Sequence, residues 1–502
     1  MSGAREDDHM DENELPEELD VNDALEEFED EGGMEIDDDD DDEQIEITLH
    51  NDSIAYLDAH KDSVFTIAQH PTIPSLFATG GSEGDNDDAP GKGYVFDTSA
   101  VEGRPVLPPS YNSDPNSEQQ KSTELSPLFA IEGHTDSINA LAFTYPKGEY
   151  LVSAGLDGKL RAYQVSIDGR NKPSFKFIAE AQEVPEINWV APSPSTGNPN
   201  TIALGGSDGS VWVYTIDASD ASNPLQIVQT YFMHAAACTA GTWSSDGALL
   251  ATVSEDSSLH VWDVWGIAAG KGLANDNGQT VVSLTGSDQR FEVEGGLYSV
   301  AIDPRSSLVA VGGATGAIKI VSLPRISGDA QPPQSSKQSK AKAKGGQGGG
   351  SGSQGGVILA DLQVQKDSIE TLSFSPTQTL LAAGSVDSSI AVYDTSRGFA
   401  ARKYNEDAHE GHGVVKVEFV RGLGDGWLLT SCGMDGVVRR WDTRSQTGTG
   451  AVGRADATKL LKEWRGHRGD GEGGGVLGFA QGNTGERIVT AGDDGVVLVF
   501  EA

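Results

Sequence analysis

Two carboxylates in this chain stand where β-structure does not ordinarily hold them. Glu370 lies inside the strand-like stretch "DSIETLSF", where a carboxylate is a poor β-former and must look away from a packed core. Asp493 adds a second acid to a turn that already has its own aspartate, Asp494, in "TAGDDGVVLVFEA". Carboxylates presented in this way pair with guanidinium and ammonium groups, which is the chemistry of capturing a basic peptide. Further acids recur near strand starts and turns: Asp136, Glu183, Glu186, Glu255, Glu294 and Asp367. Phe65 and Tyr298 supply aromatic faces on which a guanidinium stacks. In the "HTDS" and "HKDS" segments an aspartate also has a plain use, capping the turn into the strand that follows.

Bond-making chemistry finds no such footing. The chain has no Gly-x-Ser-x-Gly elbow, no Cys-x-x-Cys and no His-Glu-x-x-His. The glycine-rich "GDGEGGGVLGF" lacks the Lys and Ser/Thr of a phosphate loop, and "GQGGGSGSQGG" is low complexity. No catalytic residue, metal site or cofactor is expected. Cys238 and Cys432 are too few for a disulfide framework, which suits a reducing cytoplasmic or nuclear compartment. Both sit in apolar, strand-like surroundings and read as buried and inert.

Charge narrows the partner. The formal net charge is −42, from 77 acidic and 35 basic residues. Residues 1–50 hold 24 of the acids and one base, Arg5, which leaves 53 acids and 34 bases for the remaining 452 residues. Such a field repels nucleic-acid phosphates and attracts basic proteins. No run of 18 apolar residues exists, so no membrane-spanning helix is expected. Residues 1–43, with "EIDDDDDDE", are expected as a disordered acidic tail.

From residue 44 onward a repeat of apolar, period-2 stretches takes over. Clear copies read "SAGLDGKLRAYQV", "GGSDGSVWVYT", "TVSEDSSLHVWDV", "AGSVDSSIAVYDT", "SCGMDGVVRRWDT" and "TAGDDGVVLVFEA". Two degenerate copies, "ATGGSEGDNDDAPGKGYVFDT" and "VGGATGAIKIVS", bring the count to eight. Their common position is held by Phe96, Tyr163, Tyr214, Trp262, Val321, Tyr393, Trp441 and Phe500. Asp157, Asp208, Asp256, Asp387, Asp435 and Asp494 suit tight turns, where Asp bonds its own backbone. Pro/Gly/Ser-rich insertions are expected near 98–124, 266–278 and 325–356, each between the third and fourth strands of a unit.

The Gly-His … Trp-Asp layout, with an Asp in the middle turn, resembles the WD-repeat β-propeller family. The resemblance implies an all-β, eight-bladed propeller over residues 44–502, closed by an N-terminal strand. "DSIAYLDAH" has no blade before it, so it is expected to complete the last one beside "GVVLVFE" and remove an open edge. The turn Asp would orient a His that opens each blade: His134 and His412 match best, with His60, His234 and His467 behind them. The eight positions expected at the channel mouth are Phe65, Asn139, Asn188, Thr239, Tyr298, Glu370, Val415 and Gly475. The acids named above would lie with them on the top face, with Glu370 and Asp493 foremost in partner binding.

The acidic N-terminus, "DSIAYLDAHKDSVFTIAQHPTIPSLFATGG", "AQEVPEINWV", "GGSDGSVWVY" and the terminal repeat together resemble one subfamily of WD-repeat ribosome-assembly chaperones, related to angio-associated migratory cell protein. That resemblance implies a monomeric, non-enzymatic chaperone in the cytoplasm. It would capture the basic, Arg/Lys-rich N-terminal segment of a newly made large-subunit ribosomal protein and hand it to the pre-ribosome for 60S assembly. Direct nucleic-acid and membrane partners are not expected. A general WD-repeat scaffold and a histone-type chaperone are the alternatives.

Overall fold

A computed structural model describes residues 51–84, 89–101, 122–168, 172–326, 355–444, 457–468 and 474–502. The expected tail, 1–43, lies outside the described residues, as do most of the 98–124 and 325–356 insertions. The rest forms eight sheets, seven of them four-stranded, antiparallel and built from strands in chain order, the eighth completed by strands from near the N-terminus. Eight first strands head blades 1 to 8: Val64–Gln69, Ile138–Phe143, Ile187–Pro192, Cys238–Trp243, Leu297–Ile302, Ile369–Phe374, Val414–Phe419 and Val476–Ala480. Each packs beside the first strand of the next blade, and the last packs beside the first, so the ring is closed.

The seam is made as the sequence predicts. Ala55–Leu57 pairs antiparallel with the final strand Val497–Glu501, Ala55 opposite Val499 and Leu57 opposite Val497. Ala55 and Leu57 are buried there. Part of the 98–124 insertion is not linker at all: Thr123–Glu124 adds as a fifth strand, parallel to the closing strand, on the outer edge of blade 8. Two residues of backbone pairing suffice because Leu125 buries its side chain directly after them. The 266–278 insertion is likewise anchored, since Ala268 is buried in the same core as Val281 and the Lys271 ammonium donates to the Ile326 carbonyl.

A four-stranded sheet has two faces to cover, and here each faces a neighbouring blade. The cores therefore lie between blades. One joins Ala203 and Val213 of blade 3 to Trp243, Leu250 and Trp262 of blade 4, with Trp262 stacked on Tyr231 at 4.1 Å. All eight aromatic or apolar residues at the repeat position are buried. Burying a side chain such as Phe500 stabilises by about 1.5–3 kcal/mol. Both cysteines are fully buried, and burial pushes their thiols up to about 12.

A candidate client-binding crescent at the channel mouth

The first strand of every blade carries a β-bulge after its first residue, where the register with the second strand shifts. The bulged residues are Phe65, Asn139, Asn188, Thr239, Tyr298, Glu370, Val415 and Leu477. A bulge leaves its extra residue outside the ladder and re-aims it, so the fold gives each blade one such side chain at the equivalent place. Seven of these eight match the expected positions. In blade 8 the residue is Leu477, not Gly475, because Gly475 lies in the loop before the strand, where its carbonyl accepts from the Asp493 N–H at 2.9 Å.

That bond recurs and sets a second ring of positions beside the first. The N–H of Leu156, Ser207, Glu255, Ala314, Val386 and Met434 donates to the carbonyl of Ser137, Glu186, Ala237, Gly296, Ser368 and Gly413 respectively, at 3.0–3.2 Å. Each turn residue is thereby tied to the loop that enters the first strand of its own blade.

The ring of bulged residues divides into two arcs. Asn139, Asn188 and Thr239 each donate to a carbonyl of the next blade: Ile187 at 2.7 Å, Cys238 at 3.0 Å and Leu297 at 2.6 Å. Their donors are spent in holding blades 2 to 5 together. At blade 5 this task passes to Ser299, whose Oγ donates to the Ile369 carbonyl at 2.6 Å, and Tyr298 is released. Tyr298, Glu370, Val415, Leu477 and Phe65 then form an open crescent over blades 5 to 8 and 1. Glu370 and Phe65 are exposed, Phe65 by 40%. Burial raises the Tyr298 hydroxyl, and the charges of Glu255 and Glu370 raise it further. At the other end Asp493 is half-buried and accepts from the Ser63 hydroxyl at 2.6 Å. The crescent is acidic at Glu255, Glu370 and Asp493, with Phe65, Val386, Val415, Met434 and Leu477 as its apolar floor.

The remaining acids are placed differently. Asp136 and Asp367 each accept from the next backbone N–H, that of Ser137 at 2.6 Å and Ser368 at 2.7 Å, and so serve the turn into the strand. Glu183 and Glu186 are exposed on blade 3, on the tied arc, and Glu294 is exposed in the loop into blade 5.

The turn aspartates brace the loops that carry this face. Asp157 accepts from Nδ1 of His134 at 3.1 Å and from the Thr135 N–H at 2.9 Å, while His134 Nε2 reaches Ser153 Oγ at 2.8 Å. Asp494 and His467 repeat the arrangement at 3.0 Å. In blade 7 the histidine is His409, not His412: His409 meets Asp435 at 2.8 Å and Ser431 at 2.8 Å. Glu410 and Gly411 both adopt positive φ, so the loop doubles back and carries the Gly-His pair at 411–412 past the site. Burial alone would raise the Asp435 carboxyl, but His409 and Arg439 outweigh it and hold the group at about 2. Blade 4 interposes Ser258 between His234 and the turn, with Asp256 binding the Ala235 and Ser258 N–H groups. Blade 6 uses Gln365 against Ser389, with Asp387 binding the Lys366 and Ser389 N–H groups. Asp208 binds Ser210 alone. His60 contacts Thr79 at 2.9 Å instead of an aspartate.

A family model described as "WD domain, G-beta repeat" matches residues 125–164, 225–263 and 356–394. The crystal structure of Chaetomium thermophilum Sqt1 bound to the N-terminus of the ribosomal protein L10 is 58% identical, with a TM-score of 0.76, over 90% of this chain and 100% of that one. This chain belongs to the Sqt1 family. The Saccharomyces cerevisiae ribosome assembly protein SQT1 is 27% identical over 490 residues, 91% of this chain and 89% of that protein. The human angio-associated migratory cell protein is 24% identical over 453 residues, covering 90% and 80%. In this Sqt1-family propeller no group of three or more His, Cys, Asp or Glu among the described residues could hold a metal ion. No helix among them is long and apolar enough to cross a membrane.

Proposed function

We propose that this chain is a dedicated chaperone for a newly made, basic large-subunit ribosomal protein, acting in the cytoplasm without catalysis. It captures the client's Arg/Lys-rich N-terminal segment on the crescent and delivers it for 60S assembly. The observation that carries the reading is the open arc itself, three carboxylates spaced over an apolar floor in a family whose Chaetomium member is solved with the L10 N-terminus. Charge-assisted hydrogen bonds contribute about 1.5–3 kcal/mol each. Three of them span roughly the millimolar to micromolar range before the peptide is ordered, so apolar contacts from Phe65, Val415 and Leu477 are required for tighter capture. Electrostatic steering brings the client in quickly, and covering its cations keeps it from RNA.

Light scattering tests the chaperone role against a general scaffold. Diluted from denaturant, the isolated ribosomal protein aggregates, and an equimolar amount of this protein keeps it in solution. Unchanged scattering would leave only a scaffold, and suppression for histones equal to that for the ribosomal protein would favour the histone reading.

A further inference from the structure

Beyond the crescent, an aromatic pair, Trp212 and Phe232, leaves one ring largely exposed. Phe232 is 68% exposed, more than any other large hydrophobic residue among those described. Its ring stands edge-on to Trp212 at 6.0 Å, and Trp212 stacks in turn on buried Tyr214 at 6.4 Å. The indole is fixed from one edge: its N–H donates to Ser210 Oγ at 2.9 Å, and Ser210 donates to Asp208 at 2.6 Å. Met233, 39% exposed, lies alongside with its sulfur against the Asn277 amide. Glu183 is exposed and adjoins Val184, which is buried in the same core as Tyr214, with Trp212 packed against that core; burial raises the Tyr214 hydroxyl and the Glu183 charge adds to the rise.

One blade earlier the same ingredients occur complete. Arg161 lies over the Phe177 ring at 4.4 Å and pairs with Glu180. There an aromatic face, a carboxylate and an arginine satisfy one another. At Trp212 and Phe232 the aromatic faces and the carboxylates are present, and the arginine is not. The segments around them, residues 182–188, 206–212, 231–237 and 253–258, contain no Lys or Arg. None of the six cation–π contacts among the described residues falls here. An exposed apolar patch rimmed by charge of one sign marks an interaction surface for the opposite sign.

The patch is continuous with the crescent. The loop that begins with Phe232 and Met233 ends at Ala237, whose carbonyl accepts from the Glu255 N–H at 3.2 Å. One loop thus connects Glu255 of the crescent to Phe232 and Met233.

We infer that Trp212, Phe232 and Glu183 form a second docking subsite for an arginine-bearing, apolar stretch of the same client, outside its N-terminal segment. This rests on the chaperone reading above. A bound arginine would stack on the aromatic pair and pair with Glu183, completing the set that Arg161 completes at Phe177. Two contacts on one client slow its release far more than either alone.

Two probes separate this inference from the reading beneath it: a synthetic peptide of the L10 N-terminal segment, and full-length L10. Phe232→Ser removes the exposed ring, and Glu183→Lys reverses the paired charge. Both variants should bind the peptide within about twofold of the unchanged protein and release full-length L10 roughly tenfold faster. Equal release of full-length L10 from the variants and the unchanged protein overturns the subsite. So does a twofold-or-greater loss for the peptide as well, or self-association of the unchanged protein that Phe232→Ser abolishes in mass photometry. If the peptide instead binds equally well to Glu370→Lys, the crescent has failed and not the subsite.

Discussion

Ser63 and Asp493 meet across the seam of the ring, 430 residues apart in the chain, with the serine hydroxyl donating to the aspartate at 2.6 Å. The bond joins the loop entering blade 1 to the turn of blade 8. It also fixes the carboxylate two residues from Phe65, at one end of the crescent. One oxygen of Asp493 is thereby oriented by the fold, which leaves the group little freedom to lose on pairing with a cation.

Removing that restraint should weaken capture without opening the ring. Ser63→Ala is expected to lower client affinity a few-fold and unfolding free energy by about 1 kcal/mol. Biolayer interferometry and urea denaturation on the same preparation check the two numbers together.

Ring closure depends on three residues of strand. Leu57 is 1% exposed in the seam, so Leu57→Ala should cost about 2–5 kcal/mol by chemical denaturation. A loss under 1 kcal/mol would mean that the closing strand is dispensable.

The turn aspartates are not equivalent, although the repeat spells them alike. Asp435 faces His409 and Arg439, both buried, whereas Asp208 faces only Ser210. Asp435→Ala leaves a buried guanidinium short of its nearest carboxylate and should cost about 3–5 kcal/mol. Asp208→Ala should cost clearly less in the same thermal or urea assay.

Stability should fall with acid in a defined window. Burial drives His60 down to about 4, with Lys92 adding to the shift. It likewise drives His234 to about 3 and His260 to about 4. These rings are neutral when folded and protonate near 6.5 when unfolded, so the unfolded chain binds more protons below that pH. Their contribution is fully present above about 6.5 and is lost as pH falls toward 4. Melting temperature should be level from pH 7 to 8 and decline from 6.5 to 4.5, and a level curve down to 4.5 would contradict it.

The blade count, the ring closure and the buried repeat positions were legible because each rests on period-2 patterning and recurring turns. Glu370 was legible because a carboxylate interrupts an otherwise regular strand, and Tyr298 because it holds the matching position of its own repeat. What was not legible depends on backbone geometry that side-chain pattern does not encode. A bulge in blade 8 decides between Leu477 and Gly475. Two positive-φ residues decide between His409 and His412. Thr123–Glu124 forms a strand only because an edge is waiting for it, and nothing in that dipeptide announces pairing. Phe232 looks like one more strand-end aromatic until its exposure is seen.

Affinity for the client's N-terminal peptide, compared between the unchanged protein and the double variant Glu370→Lys plus Asp493→Lys, tests the acidic crescent most directly. Binding should drop by at least a hundredfold in the variant while its melting temperature stays within a few degrees. In the unchanged protein it should weaken steadily as salt is raised from about 0.05 to 0.5 M. Peptide binding that survives the double charge reversal, or that ignores salt, would contradict the account.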